Sequence, residues 1–296
     1  MTRDSRYDPL FEPIQLGPVT APNRFYQVPH CSGMGYHRPQ MMAAMRGVKA
    51  EGGWGVVCTE YCSIHASSDE SPYPSASLRD ADDITNLRLM TDAVHAEGAL
   101  AGVELWYGGY TAANLYSREV SMDVASLANR ASQGVPVQSQ AMTLDDIRAF
   151  RQMHRDAAKR ALEAGFDIVY VYGNHYYLLH NFLNPDFNQR DDEYGGVAEN
   201  RVRLLREVIE DVKEIVAGRA AVAVRYSIPP KNEDDPQGLI ECFRYIAELP
   251  DLWDITVNDY HLEMGSSRFV KEAANQGAIA GLRTLTSKPI VSVGRF

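Results

Sequence analysis

Short apolar runs alternate along the chain with longer stretches in which apolar positions recur every three or four residues, the order of buried strands and amphipathic helices. The runs are RFYQVP (24–29), GVVCTEY (55–61), LAGVELWYGG (100–109), DIVYVYG (167–173), AAVAVRYS (220–227), LWDITVND (252–259) and PIVSVGRF (289–296). Between them lie helical patterns in PQMMAAMRGVKAEG, NLRLMTDAVHAEG and ENRVRLLREVIEDV, and around 238–248 and 270–286. One more helix has a readable start and stop. Thr143 with Asp146 is a cap, Ile147, Phe150, His154, Ala157 and Ala161 share a face, and Gly165 ends it. Strand and helix in regular alternation imply an α/β fold with a parallel sheet. Seven strands are one short of a closed (β/α)8 TIM barrel, so the expectation is an incomplete barrel with strands one to seven present and strand eight missing. Residues 1–296 then form a single domain, C-terminally truncated, with LFEPIQLGPVTAPN (10–23) as an N-terminal hairpin capping the barrel.

Composition narrows the functional classes. A chain of 296 residues with 45% hydrophobic content can bury one large core, and a net charge of −10 argues against a nucleic-acid or anionic-membrane surface. The start MTRDSRYDPLFEP lacks the apolar stretch of a signal peptide, and no run of about 18 apolar residues occurs, so a cytoplasmic enzyme is expected. Cys31, Cys58, Cys62 and Cys242 do not form a secreted disulfide pattern and are expected as reduced thiols.

In α/β barrels chemistry gathers at the carboxyl ends of the strands. Those ends present Pro29, His30 and Cys31; Tyr61; Glu104; Tyr172 and His175; Arg225; and Gly294 with Arg295. Read by residue type alone, a lone cysteine beside a strand is a small buried hydrophobe, and Tyr61 is rim packing. An arginine leaving an apolar strand, as Arg225 does, needs an anion nearby.

The wording of the chain is more specific. HNFLNP, NQRDDEYGG and ENRVRLLREV follow the fourth strand, and FYQVPHC, VKAEGGW, TEYCSI, ALAGVELWYGG and AGFDIVYVYG precede them. Together these resemble the FMN barrels of the Old Yellow Enzyme family, and within it the amine dehydrogenase branch typified by trimethylamine dehydrogenase, from about Leu10 to Phe296. The resemblance implies FMN as cofactor, attached covalently at Cys31, with Pro29, His30, Glu104, Arg225, Gly294 and Arg295 around it. It implies that Tyr61 lines the substrate cavity, and that Tyr172 and His175 face the substrate as the catalytic pair, in place of the His and Asn or His and His of ene-reductases. Arg225 would then meet the pyrimidine edge of the flavin, and Gly294 and Arg295 its phosphate.

The match departs from the branch after strand six, where NDYHLEMGSSRF (258–269) is shorter and lacks the tryptophan and aspartate expected there; Asp259, Tyr260, His261 and Glu263 have no assignment by motif. Neither the CxxCxxC spacing of the branch's 4Fe–4S cluster nor a GxGxxG nucleotide motif occurs, so that cluster is expected only in a missing C-terminal part, and no metal site is expected here. The reading is an FMN-dependent oxidoreductase that converts a small N-methylated amine to an imine, which hydrolyses to an aldehyde and a demethylated amine. An electron-transfer protein would accept the electrons from the full-length enzyme, and a homodimer is left open. The alternatives are an NAD(P)H-dependent ene-reductase or dienoyl-CoA-type reductase, and an inactive truncated barrel.

Overall fold

The computed structural model describes residues 4–69, 75–128, 137–229, 235–257 and 269–294. In chain order these form β1 (Ile14–Leu16), β2 (Val19–Ala21), β3 (Tyr26–Gln27), α1 (Pro39–Glu51), β4 (Val56–Ser63), β5 (Ala76–Ser77), α2 (Ala81–His95) and β6 (Leu100–Trp106). There follow β7 (Met122–Asp123), β8 (Gln140–Ala141), α3 (Leu144–Glu163), β9 (Ile168–Gly173), α4 (Leu178–Leu183), α5 (Ala198–Arg201), α6 (Arg203–Val216) and β10 (Ala221–Ile228). The last elements are α7 (Leu239–Ile246), β11 (Leu252–Val257), α8 (Gln276–Leu282) and β12 (Ile290–Ser292).

The main sheet runs β3-β4-β6-β9-β10-β11-β12 with every neighbouring pair parallel, so the seven expected strands form a nearly closed α/β barrel. Strands β9 and β10 are buried at every position, because helices cover the outer face while side chains fill the inner one. The first and last strands are shorter than their apolar runs. Each has a barrel neighbour on one side only among the described residues, so fewer ladder bonds hold it.

Two separate cores follow from the alternation of side chains. Val57, Val103, Val169, Val171, Val222 and Val224 face outward onto the helices. Val56, Cys58, Ile168, Tyr170, Ala221, Ala223 and Leu252 fill the barrel with Leu16 and Ala21, which come from the antiparallel hairpin β1–β2. The capping box of Thr143 and Asp146 is formed at the start of α3, whose apolar face buries Ile147, Phe150, His154, Ala157 and Ala161.

Strand β4 departs from regular alternation at one point. Its register against β6 passes from Cys58 opposite Gly102 to Tyr61 opposite Glu104, so Thr59 and Glu60 share the place of a single residue. The extra residue is a β-bulge, and it reverses which face each later side chain takes. Without it Tyr61 would point to the helices; with it Tyr61 joins the cluster at the mouth of the barrel.

Gly102 tests how tightly the barrel interior is filled. A Cβ there would lie 2.6 Å from the Cys58 sulfur, so Gly102→Ala should destabilise the protein by about 1–3 kcal/mol. Adding Cys58→Ala should recover most of the loss, because it removes the atom in conflict. Denaturant unfolding of both variants checks this, and additive losses would show that the clash is not the cause.

Candidate functional site

The carboxyl ends of the strands bring most of the expected residues together. Three charged side chains sit on the floor of the mouth: Arg225 lies 3.5 Å from the Glu104 carboxylate and 3.7 Å from that of Asp254, and donates to the Pro29 carbonyl at 2.9 Å. All three are buried. The anion that Arg225 requires is therefore already supplied in part by the chain itself, from β6 and β11. Asp254 was not singled out by sequence, although a carboxylate inside the apolar run LWDITV is the same kind of signal as Arg225 inside AAVAVRYS.

Above this floor stand aromatic rings. Tyr61 packs on Trp106 at 4.8 Å between centroids, Trp106 on Tyr177 at 5.4 Å, and Tyr177 on Tyr172 at 5.1 Å. Arg225 lies 5.7 Å from the centre of the Tyr172 ring, so the charged floor and the aromatic wall are in contact. Trp106 and Tyr177 were missed by sequence reasoning. Trp106 ends β6 and Tyr177 precedes α4, and only the fold shows that their rings meet Tyr61.

Tyr172 and His175 are joined by a hydrogen bond of 2.7 Å between the phenol oxygen and Nδ1. The turn that permits it is unusual: His175 and Tyr176 both have positive φ, 55° and 58°, in the left-handed region that few side-chain-bearing residues occupy. Asn174 holds this turn, accepting from the His175 amide at 2.6 Å and donating to the Thr256 hydroxyl.

Cys31 is exposed, whereas Cys58, Cys62 and Cys242 are buried. The residue as a whole is open to solvent, while the thiol itself is crowded by protein. Desolvation by that protein, opposed by hydrogen bonds to Ser75 and the Tyr61 backbone and helped by the nearby Glu104 and Glu60 charges, is the main cause that pushes the thiol up to about 12. His30 next to it is held below its ordinary value by burial and by the Arg46 and Lys49 charges. The Arg46 guanidinium reaches the same strand end, donating to the His30 carbonyl at 2.6 Å and to Gln27 at 2.9 Å. Gly294 is buried with φ 139°, a conformation that side chains disfavour. Arg295 and the residues Asp259, Tyr260, His261 and Glu263 lie outside the described residues. Among the described residues no cluster of His, Cys, Asp and Glu could hold a metal ion, and no helix is long and apolar enough to cross a membrane.

Two loops at the mouth are tied together by Asp123. Its carboxylate accepts from the amides of Tyr110 and Val124, each at 2.7 Å, and from the Asn181 side chain at 2.9 Å. Full burial pushes this carboxyl up to about 7 from an ordinary 3.8, against the lowering effect of those three donors.

The sequence profile of the NADH:flavin oxidoreductase / NADH oxidase family, whose members bind FMN, matches residues 9–296. Dimethylamine dehydrogenase of Hyphomicrobium sp. (strain x) is 40% identical over 307 residues, which is 100% of this chain and 42% of that protein. The solved structure of 6-hydroxypseudooxynicotine amine oxidase from Pseudomonas geniculata N1 superposes with a TM-score of 0.94 at 44% identity, covering 100% of this chain and 45% of the other. Histamine dehydrogenase from Rhizobium sp. 4-9 superposes with a TM-score of 0.93 at 44% identity, covering 98% and 43%. The chain thus spans less than half the length of these relatives.

The Asp123 carboxyl carries a pH dependence. With a folded pKa near 7 and an ordinary value of 3.8, the folded state binds the extra proton between those values, so stability falls as pH rises through that window and levels off above it. Between about pH 5 and about pH 8 the wild type should lose stability relative to Asp123→Asn, by at most about 3 kcal/mol. Any fixed cost of the amide drops out of the comparison. Thermal or denaturant unfolding across pH checks it, and parallel profiles would show the carboxyl ionised throughout.

Proposed function

The chain belongs to the NADH:flavin oxidoreductase / NADH oxidase family, and from that premise we propose that it is the FMN-binding barrel of an enzyme that oxidises a small, N-methylated amine. The product is an imine, which water splits into an aldehyde and a demethylated amine. The observation that carries this reading is the aromatic wall of Tyr61, Trp106, Tyr177 and Tyr172 standing over a floor of two carboxylates and one guanidinium. Aromatic faces attract a methylated ammonium by about 1–2 kcal/mol when it is desolvated. The similarity to relatives named for dimethylamine, histamine and 6-hydroxypseudooxynicotine supports amine oxidation as the reaction class.

The residues present fit an FMN. The Arg225 guanidinium suits the electron-rich pyrimidine edge, with Glu104 beside it as an acceptor for ring N–H groups; Gly294 suits close backbone approach to a phosphate; and the exposed Cys31 thiol suits covalent attachment. FMN, when bound, supplies the acceptor for the two electrons removed from the carbon next to nitrogen. The chain's own part is to bind, orient and manage protons. Tyr61, Trp106 and Tyr177 exclude water around the amine. The Tyr172 hydroxyl and His175 Nδ1 are hydrogen-bonded at 2.7 Å, so the pair can take the ammonium proton, becoming an imidazolium beside the phenol while the amine becomes neutral, and later give that proton up. Two left-handed residues, His175 and Tyr176, form the turn that brings this pair together, at a cost in backbone strain.

Anaerobic mixing of the full-length protein with dimethylamine, trimethylamine, histamine or NADPH tests the proposal. An amine should bleach the flavin absorbance, whereas bleaching by NADPH alone would point instead to an ene-reductase. Tyr172→Phe and His175→Gln should each slow bleaching by about 10²–10⁴-fold while FMN content stays within about twofold of wild type. Unchanged stopped-flow rates would remove the pair from the chemistry.

A further inference from the structure

Glu60 is fully buried at the bulge of β4, and its carboxylate is the hub of the loop that carries Cys31. One oxygen accepts from the amides of Ser32 at 2.7 Å and Gly33 at 2.6 Å. The other accepts from the amides of Met34 at 3.1 Å and Gly35 at 2.8 Å, and from the Ser32 hydroxyl at 2.9 Å. Four consecutive backbone N–H groups thus converge on one carboxylate, the arrangement by which a turn wraps an anion. Two glycines make the wrap feasible. Gly33 has φ 70°, and a Cβ on Gly35 would come within 2.7 Å of Ala76, 2.9 Å of the Ser75 carbonyl and 3.2 Å of Glu60. Short charge-assisted bonds of this kind are about twice as strong as neutral ones, so the shape of residues 32–35 is set by Glu60.

We propose that Glu60 is a positioning residue for covalent flavin attachment: it fixes the 32–35 turn and with it the direction in which Cys31 presents its thiol. The inference rests on the reading of Cys31 as the attachment point. Attachment converts the Cys31 S–H and a flavin ring C–H into one S–C bond, releasing two protons and passing two electrons to an oxidant, for which dioxygen serves. The thiol must reach a single ring carbon, and a displacement of about 1 Å in a positioned group is enough to cost about a hundredfold in rate. Glu60 does not touch the mouth itself; the turn lies between them, so flavin binding and flavin attachment should separate.

The test uses the full-length protein with wild-type Glu60, Glu60→Gln and Cys31→Ala. In Glu60→Gln the new NH2 group faces two of the four amides whichever way the side chain turns, so two donors oppose a donor. Each protein is precipitated with acid, free flavin is measured in the supernatant, and the Cys31 peptide is weighed by mass spectrometry. Wild type should hold its flavin in the pellet and Cys31→Ala should release all of it. Glu60→Gln should bind total FMN within about twofold of wild type but carry about tenfold less of it covalently. A covalent fraction equal to wild type in Glu60→Gln overturns the inference. Free flavin from wild type overturns the attachment reading beneath it, a different and separately visible result. A further measurement needs neither a folded variant nor flavin: hydrogen exchange of flavin-free wild type should show the amides of 32–35 protected, and exchange at the rate of an open loop would equally overturn the proposal.

Discussion

The constraint on which the mouth of this barrel depends is the burial of Arg225 between Glu104 and Asp254, at 3.5 Å and 3.7 Å. Ions taken out of water are costly unless they meet an opposite charge at close range, so the two carboxylates depend on the guanidinium between them and it depends on them. They come from β6, β10 and β11, and their meeting requires those strands to hold their register. The same arginine anchors the end of the first strand through the Pro29 carbonyl and lies against the Tyr172 ring. One side chain therefore links the charged floor, the segment leading to Cys31 and the aromatic wall.

Around that centre, buried carboxylates organise the loops. Glu60 gathers four amides of the turn after Cys31, and Asp123 gathers two amides and the Asn181 side chain from segments far apart in sequence. Loops at a barrel mouth carry chemistry but have little apolar surface of their own to bury. Directional bonds to a few buried acceptors replace the packing that the strands enjoy, and they hold reactive groups such as Cys31 and His175 in defined positions.

Much of this was legible in the sequence. The apolar runs marked all seven barrel strands because strands covered on both faces cannot be polar, and the Thr143–Asp146 cap marked the start of α3. The Tyr172 and His175 pair and the exposed Cys31 were singled out from strand ends and wording. Less legible were residues whose role depends on register. The bulge at Thr59 and Glu60 adds one residue to a strand buried at every position, where no alternation of exposure marks the register, and so Glu60 passed unnoticed beside Tyr61. Asp254 required knowing that β10 and β11 are neighbours and that Arg225 stands opposite it. Trp106 and Tyr177 became part of a wall only when three strand ends were brought together. The tryptophan sought after strand six is not needed for aromatic rings to stand at the mouth.

The central claim is that an amine cation sits against these rings above the paired charges. A crystal structure of the full-length protein soaked with tetramethylammonium tests it most directly, because that cation has the shape and charge of a methylated amine but cannot be oxidised through loss of a proton on nitrogen. The account predicts density for the cation within about 6 Å of the ring centres of Tyr61 and at least one of Trp106, Tyr172 and Tyr177. A cation bound elsewhere in the barrel, or an empty aromatic wall at saturating concentration, would contradict it.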